Sequence, residues 1–533
     1  MSCCAAVFRS NVPQWSTRRA TLLTGISMLA LALAGVEVAV ARPLGASSVS
    51  APLTAANDAV ANAQQAAQAA RQAQQSLNRA TQALQAIRGL QDAARAAAQG
   101  VPHAATLDVN IPNGLEAGGL VPDMAAGWSG ANTPTEAASG PQTVVGIRQT
   151  APRAILNWQT FNVGVQTTVN FNQQGNSDWV ALNRITATGA PSQILGAIKA
   201  DGQVYLVNPN GIIFGGASQV NVGALIAATA KITNDQFLSG IYSTKTGSIW
   251  TPSFTDAAAL LGNGSGGGIV SVEAGAQIAT HAPASVTAGG GFVLLMGGQV
   301  NNAGAITTPH GQTQLAAGDD FALRPGYGTD QNIASTTRGN EIAPLLRAGT
   351  LAGLVRNDGM IISAQGDVTL AGRTIGQNGA LVASTSVNTR GTIHLLNSTT
   401  DTRGSVTLGA GSVTTIIPEL ESEETALNSQ RDALITASAE ANQQRSLSVT
   451  GPFDNLSLLA DRLDQSRIEI VTGGNAIFKG GASSEQGSLT MAQGGQVAVS
   501  AGGRIFTESG ATIDVSGVRD VSLAMSANNI MVN

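Results

Sequence analysis

The sequence predicts an all-β chain: a right-handed parallel β-helix (β-solenoid) with an amino-terminal helical prefix and one helical excursion. Three observations carry this. Composition comes first: 63 of 533 residues are Gly, 11% are charged and 4% are aromatic, where a globular enzyme usually carries about twice that charged fraction. Next, Gly-led corners open onto short alternations, as in Gly366-Asp367-Val368-Thr369-Leu370, Gly391-Thr392-Ile393-His394-Leu395 and Gly404-Ser405-Val406-Thr407-Leu408, which turn one face inward and leave Thr or His outward. Last, a second corner recurs as Asn302-Ala303-Gly304, Asn357-Asp358-Gly359 and Asn378-Gly379, the last two glycines 20 residues apart, close to one solenoid coil. No such rung buries its face alone, so stability must come from stacking.

Residues 1–41 read as a signal peptide. Arg18 and Arg19 precede an apolar run from Ala20 to Val36, and Ala39-Val40-Ala41 supplies small residues, with Ala39 and Ala41 at the cleavage positions. The run is short for a membrane anchor, and Glu37 closes it. Both cysteines, Cys3 and Cys4, lie in this leader. The mature chain is therefore expected to form no disulfide, Cys-ligated zinc site or cysteine nucleophile.

Residues 42–140 read as an Ala/Gln-rich helical prefix and linker. Leu77, Ala80, Leu84 and Ile87 follow helical spacing, and Gly100 and Pro102 end the segment. Residues 101–140 are expected to be a Gly/Pro/Ala linker, with the first rung near Thr143-Val144-Val145-Gly146-Ile147. Residues 141–260 form a candidate domain of their own, and 261–417 carry degenerate β-helix repeats. Residues 418–465 break the pattern: Pro418 and a run of glutamates lead into Leu420, Leu427 and Leu434 at seven-residue spacing, a helical excursion packed on the solenoid side. Repeats return over 466–533 and stop in mid-pattern, so further coils are expected beyond this sequence. Roughly 15–20 rungs at ~4.8 Å each would make a rod on the order of 70–100 Å.

The densest motif is Tyr205-Leu206-Val207-Asn208-Pro209-Asn210-Gly211-Ile212-Ile213-Phe214. It reads as strand, tight turn, strand. Pro209 sets φ, Asn208 bonds its own backbone two residues on, and Asn210 and Gly211 tolerate a left-handed backbone. Upstream stand Ile155-Leu156-Asn157-Trp158-Gln159-Thr160-Phe161-Asn162, Ala181-Leu182-Asn183-Arg184-Ile185 and Pro191-Ser192-Gln193-Ile194. This ordered set resembles the secretion domain of filamentous haemagglutinin-type exoproteins of two-partner secretion systems, in the branch of high-molecular-weight adhesins and haem-acquisition exoproteins. The resemblance covers roughly residues 140–260. It departs from the haemagglutinin branch at Asn170-Phe171-Asn172-Gln173-Gln174, where that branch carries an Asn-Pro-Asn-Leu motif.

The resemblance implies export through an outer-membrane two-partner secretion transporter, with Asn157, Trp158, Phe161, Asn162, Asn183, Arg184, Asn208, Pro209, Asn210 and Gly211 as secretion-motif residues. It implies a secreted or surface-exposed product, first a filamentous adhesin meeting a host-cell receptor or glycan. The alternatives are a haem-acquisition or toxin-carrier exoprotein with its effector beyond residue 533, and a polysaccharide-binding or -degrading β-helix.

No catalytic residues, cofactor, metal site or small-molecule substrate is evident. His103, His281, His310 and His394 are far apart and read as solvated or corner residues. Asp319 and Asp320 are adjacent and, on one strand, would point to opposite faces, so they make no acid/base dyad. Gly264-Ser265-Gly266-Gly267-Gly268 lacks the Lys of a phosphate loop and reads as a flexible corner. Asn263, Asn397 and Asn455 stand in Asn-x-Ser/Thr sequons. A net charge of −5 gives no footprint for nucleic acid.

Overall fold

The computed structural model describes residues 110–533 except 188, 248, 257–266, 284–289, 326–336, 338, 387–389, 420–465, 482–485 and 518–533. The signal peptide, the helical prefix and residues 420–465 of the helical excursion expected from the sequence lie outside the described residues; Pro418, where the excursion was expected to begin, ends the strand Val413–Pro418. The rest is a parallel β-helix.

Each coil passes through three sheets in turn. In one coil, Val180–Ile185 lies in the first sheet, Ser192–Ile194 in the second and Ala197–Ala200 in the third. The next coil starts with Gln203–Val207, which pairs in parallel with Val180–Ile185. β-Branched and small residues suit this geometry because each strand is hydrogen-bonded on both edges and packed on at least one face. Stacked registers build continuous inward columns. One runs Leu156, Asn183, Leu206, Ala227, Leu295, Leu315, Leu370, Leu395, Ile470, and all of these are buried. Each large aliphatic member contributes roughly 1.5–3 kcal/mol by leaving water.

The corners explain the glycine content. Gly291, Gly311 and Gly366 stack at one corner, and a Cβ there would lie 1.8 Å from Gly223 O, 1.9 Å from Gly291 O and 2.3 Å from Gly311 O respectively. Only a residue without Cβ allows backbones to stack so closely. A polar ladder follows another corner. Asn302 Nδ2 donates to Asn357 Oδ1 at 2.7 Å, and Asn357 Nδ2 donates to Gln377 Oε1 at 2.7 Å, satisfying amides that are fully buried. Here Gln377, not Asn378, is the ladder member; Asn378 stacks on Asp358 at 2.8 Å. The corner at Gly404 also differs from expectation. Asp367–Ala371 and Thr392–Leu396 pair in the first sheet, whereas Ser405–Leu408 lies in the second.

Residues 110–140, expected as linker, carry strands. Leu120–Pro122 and Trp128–Ser129 pair antiparallel with Arg153–Phe161, and Thr135–Ser139 pairs antiparallel with Gln142–Arg148. They cover the first coil, which would otherwise expose its apolar end. Among the described residues the first sheet stacks ten parallel strands, Arg153–Phe161 to Gln496–Ala501, about 45 Å of rise at ~4.8 Å per strand. That is fewer than the 15–20 rungs expected, because among the described residues each coil consumes three strands and two coils carry long insertions.

Two insertions, after Ala224–Ala228 and after Gln312–Ala317, meet on the outside of the first sheet. They supply the Asn234–Ser239 helix and an antiparallel sheet of Phe254–Thr255, Asp320–Pro325 and Asn340–Leu345. Phe237, Phe254, Phe321, Leu323 and Ile342 bury the outward Leu182, Tyr205, Ile226 and Leu294, a second core outside the solenoid. Asp319 and Asp320 anchor this layer. Asp320 takes the Arg347 guanidinium through both oxygens at 2.8 and 2.9 Å, and Asp319 accepts from Arg347 N and Thr350 Oγ1.

His394 does not fit the expectation of a solvated or corner histidine. It stands mid-strand and fully buried. His281 is exposed and His310 half-buried in a turn at φ 51°; His103 lies outside the described residues. Asn397 is also buried, its amide spent on Arg373 O and Gly473 N, so its sequon is closed to modification in the folded chain. Gly268, at the end of the stretch read as a flexible corner, is packed: a Cβ there would lie 2.7 Å from Pro209 O.

Candidate functional site

Three of the motif segments lie side by side. Leu156, Asn183 and Leu206 are register partners across three consecutive strands of the first sheet, and so are Asn157, Arg184 and Val207. Asn208 follows directly, as the chain leaves the third of these strands. The stacking of coils thus gathers residues that lie up to fifty positions apart in sequence.

Trp158 points inward and is fully buried. Its ring meets Trp128 and Phe161 edge-on, at centroid distances of 5.1 and 5.1 Å. Its indole N–H donates to Asn183 Oδ1 at 3.0 Å. Asn183 in turn donates to Ala181 O at 3.1 Å and Tyr205 O at 3.3 Å, so a polar side chain sits satisfied in an aliphatic column.

Asn157 and Asn162 hold the end cover to the first coil. Asn157 Nδ2 donates to Ala126 O at 2.7 Å and Gly127 O at 2.8 Å. Asn162 Nδ2 donates to Gly118 O at 2.9 Å, while its Oδ1 accepts from Gln193 N at 2.9 Å. Arg184 faces outward and donates to Asn234 Oδ1 at 2.7 Å, beside the short helix of the outer layer. Burial draws its guanidinium below the ordinary arginine value, but it remains a cation.

The Asn208-Pro209-Asn210-Gly211 turn closes with Gly211 N donating to Asn208 O at 3.0 Å. Asn208 Oδ1 accepts from Asn210 N at 2.9 Å, the local bond expected of an Asx-turn. Asn208 Nδ2 reaches Ser192 Oγ at 3.0 Å. Asn210 donates to Ala187 O at 3.0 Å and accepts from Gly189 N at 3.1 Å. Both asparagines therefore tie the 187–192 loop to the turn. Of the two residues read as tolerating a left-handed backbone, Gly211 takes it, at φ 123°, and Asn210 does not.

Several residues of this region went unread in the sequence. Trp128 completes the aromatic cluster. Gln173, fully buried, donates to Gln149 Oε1 at 3.0 Å and to Trp179 O at 2.9 Å, and accepts from Gly202 N at 2.5 Å. It lies in the segment where the resemblance departs from the haemagglutinin branch. The spacing of Gln149 and Gln173 by about one coil was the available signal.

Among the described residues, no nucleophile or acid/base pair converges in this region. Its indole and most of its amide groups are spent on the chain itself, Asn157 Oδ1 being buried without a partner, and its motif residues that reach the surface are the half-buried Asn162, Arg184, Pro209 and Asn210.

Comparison with known proteins places this region within a longer match. The family model described as TPS secretion domain matches residues 121–408. A heme/hemopexin-binding protein of Haemophilus influenzae strain Rd is 29% identical over 241 residues, covering 44% of this chain and 22% of that protein. A second heme/hemopexin-binding protein of Haemophilus influenzae is 40% identical over 86 residues, 16% of this chain and 9% of that protein. The match therefore spans less than a quarter of the length of either relative. Among solved structures, the HMW1 secretion domain from Haemophilus influenzae aligns over 71% of this chain and all of its own, at 18% identity and TM-score 0.39. The filamentous hemagglutinin secretion domain aligns over 75% of this chain and all of its own, at 14% identity and TM-score 0.32.

Proposed function

The chain belongs to the TPS secretion domain family, and from that membership we propose that it is the amino-terminal part of an exoprotein exported to the cell surface or medium through a partner outer-membrane β-barrel transporter. The observation that carries the reading is the family match over residues 121–408, which holds the whole ordered set of motif residues. A chain without thiols after residue 4 suits threading through a pore, since no disulfide can close a loop before transit.

The proposed roles follow from the geometry. Asn157, Trp158, Phe161, Asn162, Asn183, Arg184, Asn208, Pro209, Asn210 and Gly211 act in export as formers of the first coils. Most of their side-chain hydrogen bonds are internal, which supports a reading in which the transporter meets them before folding, as an extended segment offering backbone edges. Once outside, these coils form first and later coils stack on them, which draws the rest of the chain outward without ATP.

The product is read as a non-catalytic filamentous adhesin, its contact sites on insertions from the rod. A haem-acquisition exoprotein is the second reading, favoured by the names of the two Haemophilus relatives; its effector would lie beyond residue 533.

The test is secretion of the chain from a bacterium with and without the partner transporter, comparing wild type with Asn208→Ala/Asn210→Ala, alongside refolding of both proteins in vitro. Partner-dependent release that the double substitution abolishes supports the reading. Release without the partner would break it.

A further inference from the structure

One strand of the first sheet follows the longest break in the described chain. Val413–Pro418 leads to Glu419, and Arg467–Thr472 resumes after residues 420–465. Both ends of the break meet one residue. Glu419 N donates to Thr385 O at 2.7 Å, and Thr385 Oγ1 is hydrogen-bonded to Ser466 Oγ. The ends are held together, yet no short corner sets the register of the returning strand, as Ser363–Gly366 does before Asp367–Ala371.

The apolar pattern sets it in part. Arg467–Thr472 reads Arg-Ile-Glu-Ile-Val-Thr, with Ile468 and Ile470 inward and fully buried. A slip of one residue would turn both isoleucines outward and is excluded. A slip of two keeps an isoleucine inward beside Ile393 or Leu395. It also brings Ser466 or Thr472 into the other inward place and draws Gly473 and Gly474 off the corner where Asn397 and Gly404 receive them; on the outer face it changes the charges.

There, His394 pairs in register with Glu469. Its Nδ1 is hydrogen-bonded to Glu469 Oε2 at 3.3 Å, and its Nε2 lies 3.2 Å from Asp367 Oδ1 in the preceding coil, as an ion-pair contact without a hydrogen bond. Arg467 is the other charge on the returning strand, 3.1 Å from Glu469 Oε1. A slip of two residues would set the buried ring against Arg467, a like charge, or against Val471, which leaves it one carboxylate short.

We propose that His394, clamped between Asp367 and Glu469, is a register pin of the coil that follows the 420–465 break, acting with the Asn397–Gly473 contact at the next corner. The pin lets this corner carry a long insertion while the solenoid resumes in step. Burial by itself would lower the pKa of the ring, but Asp367 and Glu469 outweigh burial and hold it up to about 9, so the clamp is charged at neutral pH. A buried charge pairs stably only in the geometry that satisfies it, and this makes the pin selective.

Leu396 and Val471 are in-register neighbours on the same outer face, within reach of a disulfide only in the native register. The experiment uses the chain with Cys3→Ser and Cys4→Ser, carrying Leu396→Cys and Val471→Cys, refolded from urea at pH 7 and then oxidised. A control pair, Ile362→Cys and Val382→Cys, reports the coils before the break. The parent is expected to cross-link nearly fully at both pairs. His394→Gln and Glu469→Gln should each lower the 396–471 yield severalfold and leave the control unchanged. With 420–465 replaced by a short Gly/Ser linker, both substitutions should keep the parent yield. Unchanged yield in the substituted chains would overturn the proposal. So would a loss of equal size with and without the insertion, or a parallel loss of the control, since either marks a general packing role.

Discussion

Asn183 occupies a place in an inward column where the other members are Leu, Ala or Ile, and it is kept there by the Trp158 indole. Asn183→Leu would fill the column but strand a buried N–H. It is expected to cost about 1–3 kcal/mol in denaturant unfolding. Adding Trp158→Phe should recover part of that loss, because Phe has no donor to satisfy, and a double-mutant cycle measures the coupling. His394 makes a second prediction at this scale. Its folded pKa is raised to about 9 from an ordinary 6.5. The stability it contributes is therefore fully present below about pH 6.5 and is lost as pH rises through about 9. Melting curves of wild type and His394→Gln should converge as pH is raised from 6.5 to 10, and a gap that stays constant would refute the charged clamp.

Glycine ladders set the terms among the elements. Gly311→Ala would place a methyl 1.9 Å from Gly291 O, a backbone atom that cannot swing aside. It should cost several kcal/mol, or prevent folding, whereas Gly376→Ala, whose Cβ would meet nothing closer than 3.8 Å, should change stability by no more than about 0.5 kcal/mol. Urea midpoints of the two variants check this. The same contrast shows what was legible in the sequence. The Asn208–Gly211 turn and the 20-residue spacing of Gly359 and Gly379 are local or strictly periodic, so residue type alone exposes them. The end cover is neither. Trp128 meets Trp158 only because an antiparallel strand folds back over the first coil, and Gly/Pro/Ala-rich sequence there reads as linker. His394 misled for a related reason. Its alternation rightly put it on the outer face of its strand, but nothing in the pattern says that this face is buried, or that Glu469, 75 residues on, will stand beside it.

For the whole molecule, length should be counted in coils. Residues 358–377 form one minimal coil between equivalent corners, since Asp358 stacks on Asn378 and Met360 pairs with Ala380. Deleting those 20 residues should leave a folded rod shorter by ~4.8 Å, visible in small-angle scattering, with a single unfolding transition. Deleting 358–367 instead, half a coil, should turn apolar faces outward and abolish cooperative unfolding. The two insertions that build the outer layer both leave the solenoid at corners, after Ala228 and Ala317. Neither interrupts a sheet, which is why mass can be added at the side without changing the axial repeat.

The edge-to-face packing of Trp128 on Trp158 also makes this end of the rod optically distinct. Trp128, Trp158 and Trp179 all belong to the first two coils and their cover, while Trp250 sits in the outer layer and Trp15 lies outside the described residues. Intrinsic fluorescence and near-ultraviolet exciton dichroism therefore watch the leading end almost alone, with no dye attached. A chain emerging amino terminus first should show its blue shift early, while far-ultraviolet signal from the later coils is still growing.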